Sequence, residues 1–164
     1  MALTIGDKIP EILGTDQAGK EVKASDFKGQ KFILYFYPKD NTPGCTAEAC
    51  NFRDNFYELR KAGYEIVGVS VDDEKSHIKF IEKYELPFPL IADKDKVLVE
   101  KFGIWAEKTL AGKKYMGTLR STFLIDENST IEQVFTPKEI KAKEHAEQIL
   151  DWLTELKNKN KNKK

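Results

Sequence analysis

Apolar and polar positions along this chain follow two periods, one near two residues and one near three to four, and the switches between them outline the fold. Residues 11–23 carry short extended segments on either side of "TDQAGK", which predicts a hairpin. "ASDFKGQ" then reads as a short helical turn. The unbroken apolar run "KFILYFY" suits a buried central strand that ends at Pro38. Beyond the loop "PKDNTPG", the stretch "CTAEACNFRDNFYELRKAG" places Ala49, Phe52, Phe56 and Leu59 at helical spacing, with Gly63 as the stop. "YEIVGVSV" predicts a second buried strand. "DDEKSHIKFIEKYEL" predicts a helix with Ile78, Ile81 and Leu86 on its apolar side, followed by "FPLIAD" as a short strand and "DKVLVEKFG" as another helix. "RSTFLIDENSTIEQVFT" predicts two strands joined by a polar turn, and "KAKEHAEQILDWLTELKNKNKNKK" an amphipathic helix with a frayed basic end over 158–164.

This alternation predicts an α/β fold: a sheet with parallel strands, a terminal hairpin and helices on both faces. Neither a repeat nor a linker interrupts it, so residues 1–164 are expected to form one domain. At 164 residues the chain buries a core without needing disulfides or metal to hold it. The 27 basic and 27 acidic residues cancel, which removes the basic bias that nucleic-acid binding leaves. The longest apolar run, Phe32 to Tyr37, falls far short of the roughly 20 residues of a membrane helix. The opening "MALTIGDKIPEILG" lacks a charged start followed by an apolar signal region. The expectation is a cytoplasmic protein with no membrane association. In that reducing compartment the chain's two cysteines point to catalysis, redox cycling or metal binding rather than to a structural staple.

Those cysteines, Cys45 and Cys50, sit where a helix is expected to start. In "NTPGC" Thr42 suits the N-cap and Pro43 the first helical position, which puts Cys45 in the first turn. Unpaired amides and the positive end of the helix dipole there favour the thiolate, the nucleophilic form of cysteine. Cys50 follows five residues later, so its Cα lies roughly 8.5 Å from that of Cys45 in an intact helix. A disulfide tolerates about 4.4–6.8 Å. The pair can therefore bond only if the segment unwinds, which predicts a helix start of low local stability. A two-step chemistry suits this layout: Cys45 attacks a peroxide oxygen and becomes a sulfenic acid, and Cys50 condenses with it. The Thr42 hydroxyl could cap the helix, orient the peroxide or do both. The amides of Gly44 and Cys45 could bind the oxygen that bears developing charge. Of the three arginines, Arg120 opens the strand "RSTFLID" and could hold the thiolate, although an ordinary ion pair is the alternative; Arg53 and Arg60 look like surface charges. Zinc would want four ligands, and His77 and His145 fall in separate predicted helices without ligand spacing, so neither metal nor cofactor is expected. Trp105 reads as core or rim packing.

Pro38, Thr42 and Cys45 reproduce the peroxiredoxin pattern of Pro, three residues, Thr, two residues, Cys. Together with Cys50, "FGIWAEK" (102–108), "YMGTLRSTFLID" (115–126) and the opening "IGDKIPEI", they resemble the bacterioferritin comigratory protein or peroxiredoxin Q branch of that family, from about residue 3 to residue 155. Ala106 stands where relatives often have glycine. The resemblance implies a thioredoxin-like fold with a central mixed sheet, and reduction of hydrogen peroxide and organic hydroperoxides. It implies Cys45 as the peroxidatic and Cys50 as the resolving cysteine, with supporting roles for Pro38, Thr42, Gly44 and Arg120. Thioredoxin or a similar dithiol is implied as the reductant, and a monomer as the resting state. Two rival functions are a thiol-disulfide oxidoreductase, which would normally present Cys-x-x-Cys, and a non-catalytic redox sensor.

Overall fold

Side chains 32–37 are all buried, on both faces of their strand, and a strand so enclosed has to lie at the centre of a sheet. In the computed structural model, which describes residues 2–162, this strand is β3 (Lys31–Phe36). It follows a hairpin of β1 (Ile12–Thr15) and β2 (Glu21–Lys23), and a single 3-10 turn, Ala24–Phe27. On one side β3 pairs in parallel with β4 (Tyr64–Ser70), which pairs in parallel with β5 (Leu90–Ala92). On the other side it pairs antiparallel with β8 (Ser121–Ile125), whose outer neighbour is β9 (Ile131–Phe135). The sheet is thus mixed, in the order β5-β4-β3-β8-β9. A separate hairpin, β6 (Trp105–Leu110) with β7 (Lys113–Thr118), precedes β8.

Alternation along the strands divides the core into two clusters. Phe32, Leu34 and Phe36 face the first hairpin and α4 (Val97–Lys101), through Leu13, Val22, Leu98 and Val99. Ile33, Tyr35 and Tyr37 face α1 (Pro43–Asp54), α2 (Phe56–Lys61), α3 (Glu74–Tyr84) and α5 (His145–Asn162). Helices cover both faces as expected, with four of the five on one side.

Two readings need correction. The long helix expected after Cys45 is two helices, separated at Asn55 (φ −107°, ψ 13°). There the Asn55 amide donates to the Asn51 carbonyl at 2.9 Å, a side-chain bond that competes with helical geometry. On α3 the buried residues are His77 and Phe80, whereas Ile78 is 41% exposed and Leu86 lies past the left-handed residue Glu85 that ends the helix. An imidazole displaces the aliphatic side chain because both its nitrogens find buried partners, described below. The terminal helix runs through Asn162, over most of the basic end read from 158, and residues 163–164 lie outside the described residues. The β6–β7 hairpin was not anticipated: its strands are largely exposed and charged, and its turn uses Ala111 and Gly112, both at positive φ, instead of the Asn-Gly that signals such turns.

Gly68 on β4 lets the Tyr35 ring lie flat across the neighbouring strand. A Cβ at that position would stand 2.6 Å from Leu90 Cδ2 and 3.0 Å from two Tyr35 ring atoms. Gly68→Ala is therefore expected to destabilise the protein by about 1–3 kcal/mol through overpacking, read from the urea midpoint at unchanged m-value.

Candidate active site

The chain leaves β3 at Tyr37, turns at the half-buried Pro38 and enters α1 through a loop that is fixed from below. The Asp40 carboxylate accepts from Tyr37 Oη at 2.5 Å, Ser76 Oγ at 2.7 Å and His77 Nδ1 at 2.7 Å. Its own amide donates to Asp72 Oδ2 at 2.8 Å, and Ser70 Oγ donates to the same oxygen at 2.7 Å. His77 Nε2 lies 2.9 Å from the Ile91 carbonyl. A carbonyl and a carboxylate only accept, so both ring nitrogens donate and His77 is an imidazolium paired with Asp40. Burial opposes that charge, but the Asp40 hydrogen bond and charge outweigh it and raise the His77 pKa. The loop is thereby tied to the ends of β4 and β5 and to the first turn of α3.

Thr42 occupies the N-cap position in extended conformation, Pro43 begins the helix and Cys45 sits in its first turn, all as the sequence predicts. Thr42 Oγ1 does not cap the helix. It donates to the Lys39 carbonyl at 2.9 Å, which leaves its lone pairs toward the loop, while its own carbonyl accepts from the Thr46 amide at 2.8 Å. The amides of Gly44 and Cys45 have no preceding helical turn to bond to.

Arg120, between β7 and β8, reaches across to this helix start. Its Nη2 donates to Cys45 Sγ at 3.3 Å and its Nη1 to Glu48 Oε1 at 2.6 Å. Gly44 makes room for it, since a Cβ there would stand 3.2 Å from Nη2. The sulfur is buried, with Cys45 only 2% exposed, yet it borders the Arg120 side chain, which is 20% exposed, and the exposed Gly44. Glu48 was missed in the sequence reading. It lies one turn after Cys45 on the same helix face, and this i, i+3 spacing was the available signal. Its side chain is fully buried, and Oε2 has no hydrogen-bond partner among the described residues. Burial pushes the Glu48 carboxyl up to about 7 against the pull of Arg120. Burial likewise works against the Arg120 charge, but Glu48 and Cys45 hold its pKa above the ordinary arginine value.

Cys50 lies half-buried on α1, and both thiols are free. A continuous helix separates them, as expected for the reduced pair. Of the other arginines, Arg60 pairs with Glu65 at 3.1 Å in partial exposure, whereas Arg53 closes the end of α3 by donating to the Tyr84 carbonyl at 2.8 Å. Neither bonds to Cys45. Trp105 is partly buried against the core, with Lys96 Nζ 5.4 Å from its ring centre, so it packs at the rim.

Comparison with known proteins places this geometry. The model of the AhpC/TSA family matches residues 5–134. The chain is 44% identical over 153 residues to Peroxiredoxin Bcp of Escherichia coli, covering 93% of this chain and 97% of the relative. It is 43% identical over 159 residues to Peroxiredoxin Bcp of Bacillus subtilis, covering 97% and 100%. Among solved structures, a cysteine mutant of Xylella fastidiosa PrxQ superposes with a TM-score of 0.84 at 32% identity, over 98% of this chain and 99% of that one. The Xanthomonas campestris bacterioferritin comigratory protein superposes with a TM-score of 0.79 at 34% identity, over 90% and 98%. The chain therefore belongs to the AhpC/TSA family, and within it to the Bcp and peroxiredoxin Q group: it is a peroxiredoxin, a thiol peroxidase built on a thioredoxin-like α/β fold.

Proposed function

We propose that Cys45 is the peroxidatic nucleophile and Cys50 the resolving cysteine of a cycle carried on a single domain. The observation that carries this reading is the shared guanidinium of Arg120, 3.3 Å from the Cys45 sulfur at the start of α1. The Cys45 thiolate attacks the distal oxygen of a hydroperoxide; the O–O bond breaks, sulfur gains the OH as a sulfenic acid, and the alkoxide leaves and takes up a proton. The Cys50 thiol then condenses with the sulfenic acid, forming the S–S bond and releasing water. An external dithiol reduces that disulfide and closes the cycle.

Around the sulfur, Arg120 and the Gly44 and Cys45 amides meet the charge that develops on the oxygens, in a site where burial strengthens each interaction. The lone pairs of Thr42 Oγ1 accept a hydrogen bond from the peroxide O–H and orient its O–O bond toward the sulfur, while Pro38 shields the loop. Glu48 holds Arg120 in place. With one cation facing two potential anions, its carboxyl serves as the local proton store when Cys45 is a thiolate.

Substrates are hydrogen peroxide and organic hydroperoxides; the Xanthomonas relative is described for alkyl peroxide reduction, which supports the second class. A thioredoxin-type dithiol is the reductant that suits a disulfide formed within the chain, and we read the protein as a cytoplasmic monomer. No helix among the described residues is long and apolar enough to cross a membrane.

Cys45→Ser should abolish peroxide consumption, whereas Cys50→Ser should react once, trap the sulfenic acid and form no internal disulfide, as read by stopped flow and intact mass. Fast reaction in Cys45→Ser would reverse the assignment. Arg120→Gln should slow the first oxidation by about 100-fold, the scale of losing one donor to a developing oxyanion; a change under threefold would remove Arg120 from the step. The pKa of Glu48 is higher in the folded than in the unfolded protein. Its favourable contribution is complete below the ordinary carboxyl value of 4.5 and is lost as pH rises through about 7. Over that window wild type should lose stability relative to Glu48→Gln, by on the order of 3 kcal/mol for such a shift. Urea titrations at several pH values measure the difference, and a flat difference would exclude a protonated buried carboxyl.

A further inference from the structure

The residue after Cys50 joins two helices. Asn51 Oδ1 accepts from the Ala146 amide at 2.6 Å, satisfying one of the unpaired N–H groups in the first turn of α5 from outside that helix. Asn51 Nδ2 donates to both carboxylate oxygens of Glu147, at 2.9 and 3.2 Å. One turn later Asn55 Nδ2 donates to Glu147 Oε1 at 3.2 Å. Burial works against the Glu147 charge, but these amides and its own backbone N–H hold the carboxyl below its ordinary range. The polar contact between α1 and α5 is therefore concentrated next to the second cysteine.

We propose that Asn51 is a positioning residue for the resolution step: a latch whose release from Ala146 and Glu147 sets the rate at which Cys50 reaches Cys45. The inference rests on the two-cysteine cycle above. In an intact helix the two Cα atoms stand roughly 8.5 Å apart, beyond disulfide reach, so one end has to move. Cys45 is held by Arg120 and by a loop pinned through Asp40, whereas Cys50 is half-buried and free of such ties. Moving Cys50 turns the peptide that bears Asn51. Two kinds of contact resist this. Phe52 packs against Tyr35 and His145, with ring centres 4.6 and 5.5 Å apart, and such contacts tolerate sliding. The Asn51 hydrogen bonds are directional and fail on small rotations. Of their two partners Glu147 is exposed, so water can take over the bonds lost there, whereas Ala146 is buried and its amide bond carries the larger share of the latch.

The test separates the two chemical steps. Reduced full-length protein is mixed with hydrogen peroxide, and acid-quenched samples are followed by intact mass for oxygen gain, then for loss of two hydrogens. In Asn51→Ala oxidation should stay within twofold of wild type while disulfide closure accelerates about tenfold, the scale of losing one helix cap. The fraction overoxidised to sulfinic acid in excess peroxide should fall, because faster closure competes with a second peroxide. A general loss of stability would not produce this split. Asn51→Asp still accepts from the Ala146 amide but sets a carboxylate against Glu147; it should also accelerate closure, and it decides the matter if Asn51→Ala does not fold. Disulfide closing at an unchanged or slower rate in the folded variant overturns the latch alone. Wild-type protein that forms sulfenic acid and no internal disulfide overturns the two-cysteine cycle and the latch together.

Discussion

A single arginine side chain, one-fifth exposed, turns its guanidinium to a cysteine sulfur and a fully buried carboxyl, and the site is organised by how that charge is shared. An arginine cannot shed its proton to escape burial, so its surroundings have to supply the negative charge. Glu48 supplies it when ionised and Cys45 supplies it as thiolate. Because both lie on one face of α1 within a turn, the helix start and the cation form one unit. Burial pushes the Glu48 carboxyl up to about 7 against the pull of that cation.

Such an arrangement works only if the helix start is held still relative to Arg120, which comes from the far side of β3 in the sequence. The Asp40 centre does this. Its carboxylate collects three donors, Tyr37 just past β3 and Ser76 and the His77 imidazolium of α3, and satisfies nearly all of its acceptor capacity in the core. A buried ion pair of this kind contributes little net stability, but it defines one loop geometry because any other leaves charges unpaired. Farther along α1 the ties are fewer and more exposed. The helix is thus held firmly around Cys45 and more loosely around Cys50, two thiols that begin out of bonding range.

Legibility of the chain varied with how local the responsible physics was. The first hairpin, β3, β4, β5, β8, β9 and the helix start at Thr42–Pro43 were readable because apolar period, turn residues and capping chemistry are written in adjacent positions. The β6–β7 hairpin was not, since its strands bury little and its turn lacks the usual residues. The two histidines show the same limit. His77 and His145 were read as non-ligands in separate helices, yet nothing in the sequence separated a buried imidazolium bound to Asp40 from a buried ring between Thr122 and Gln148 whose pKa burial drives down to about 4. Arg53, read as a surface charge, closes α3 from another helix.

Cys45, Cys50, Thr42 and Pro38 lie within thirteen residues of one another, and backbone geometry at a helix start dictates their relations whatever the rest of the chain does. The sequence by itself therefore determined that both thiols sit at one helix start, five residues apart and out of disulfide reach while that helix is intact. Only the tertiary structure decided that Arg120 divides its bonds between Cys45 and Glu48, that Thr42 turns its hydroxyl to Lys39 instead of capping, and that Asn51 ties α1 to α5. These contacts join elements far apart in the chain, and hydrogen-bond direction and burial exist only once the sheet has brought those elements together.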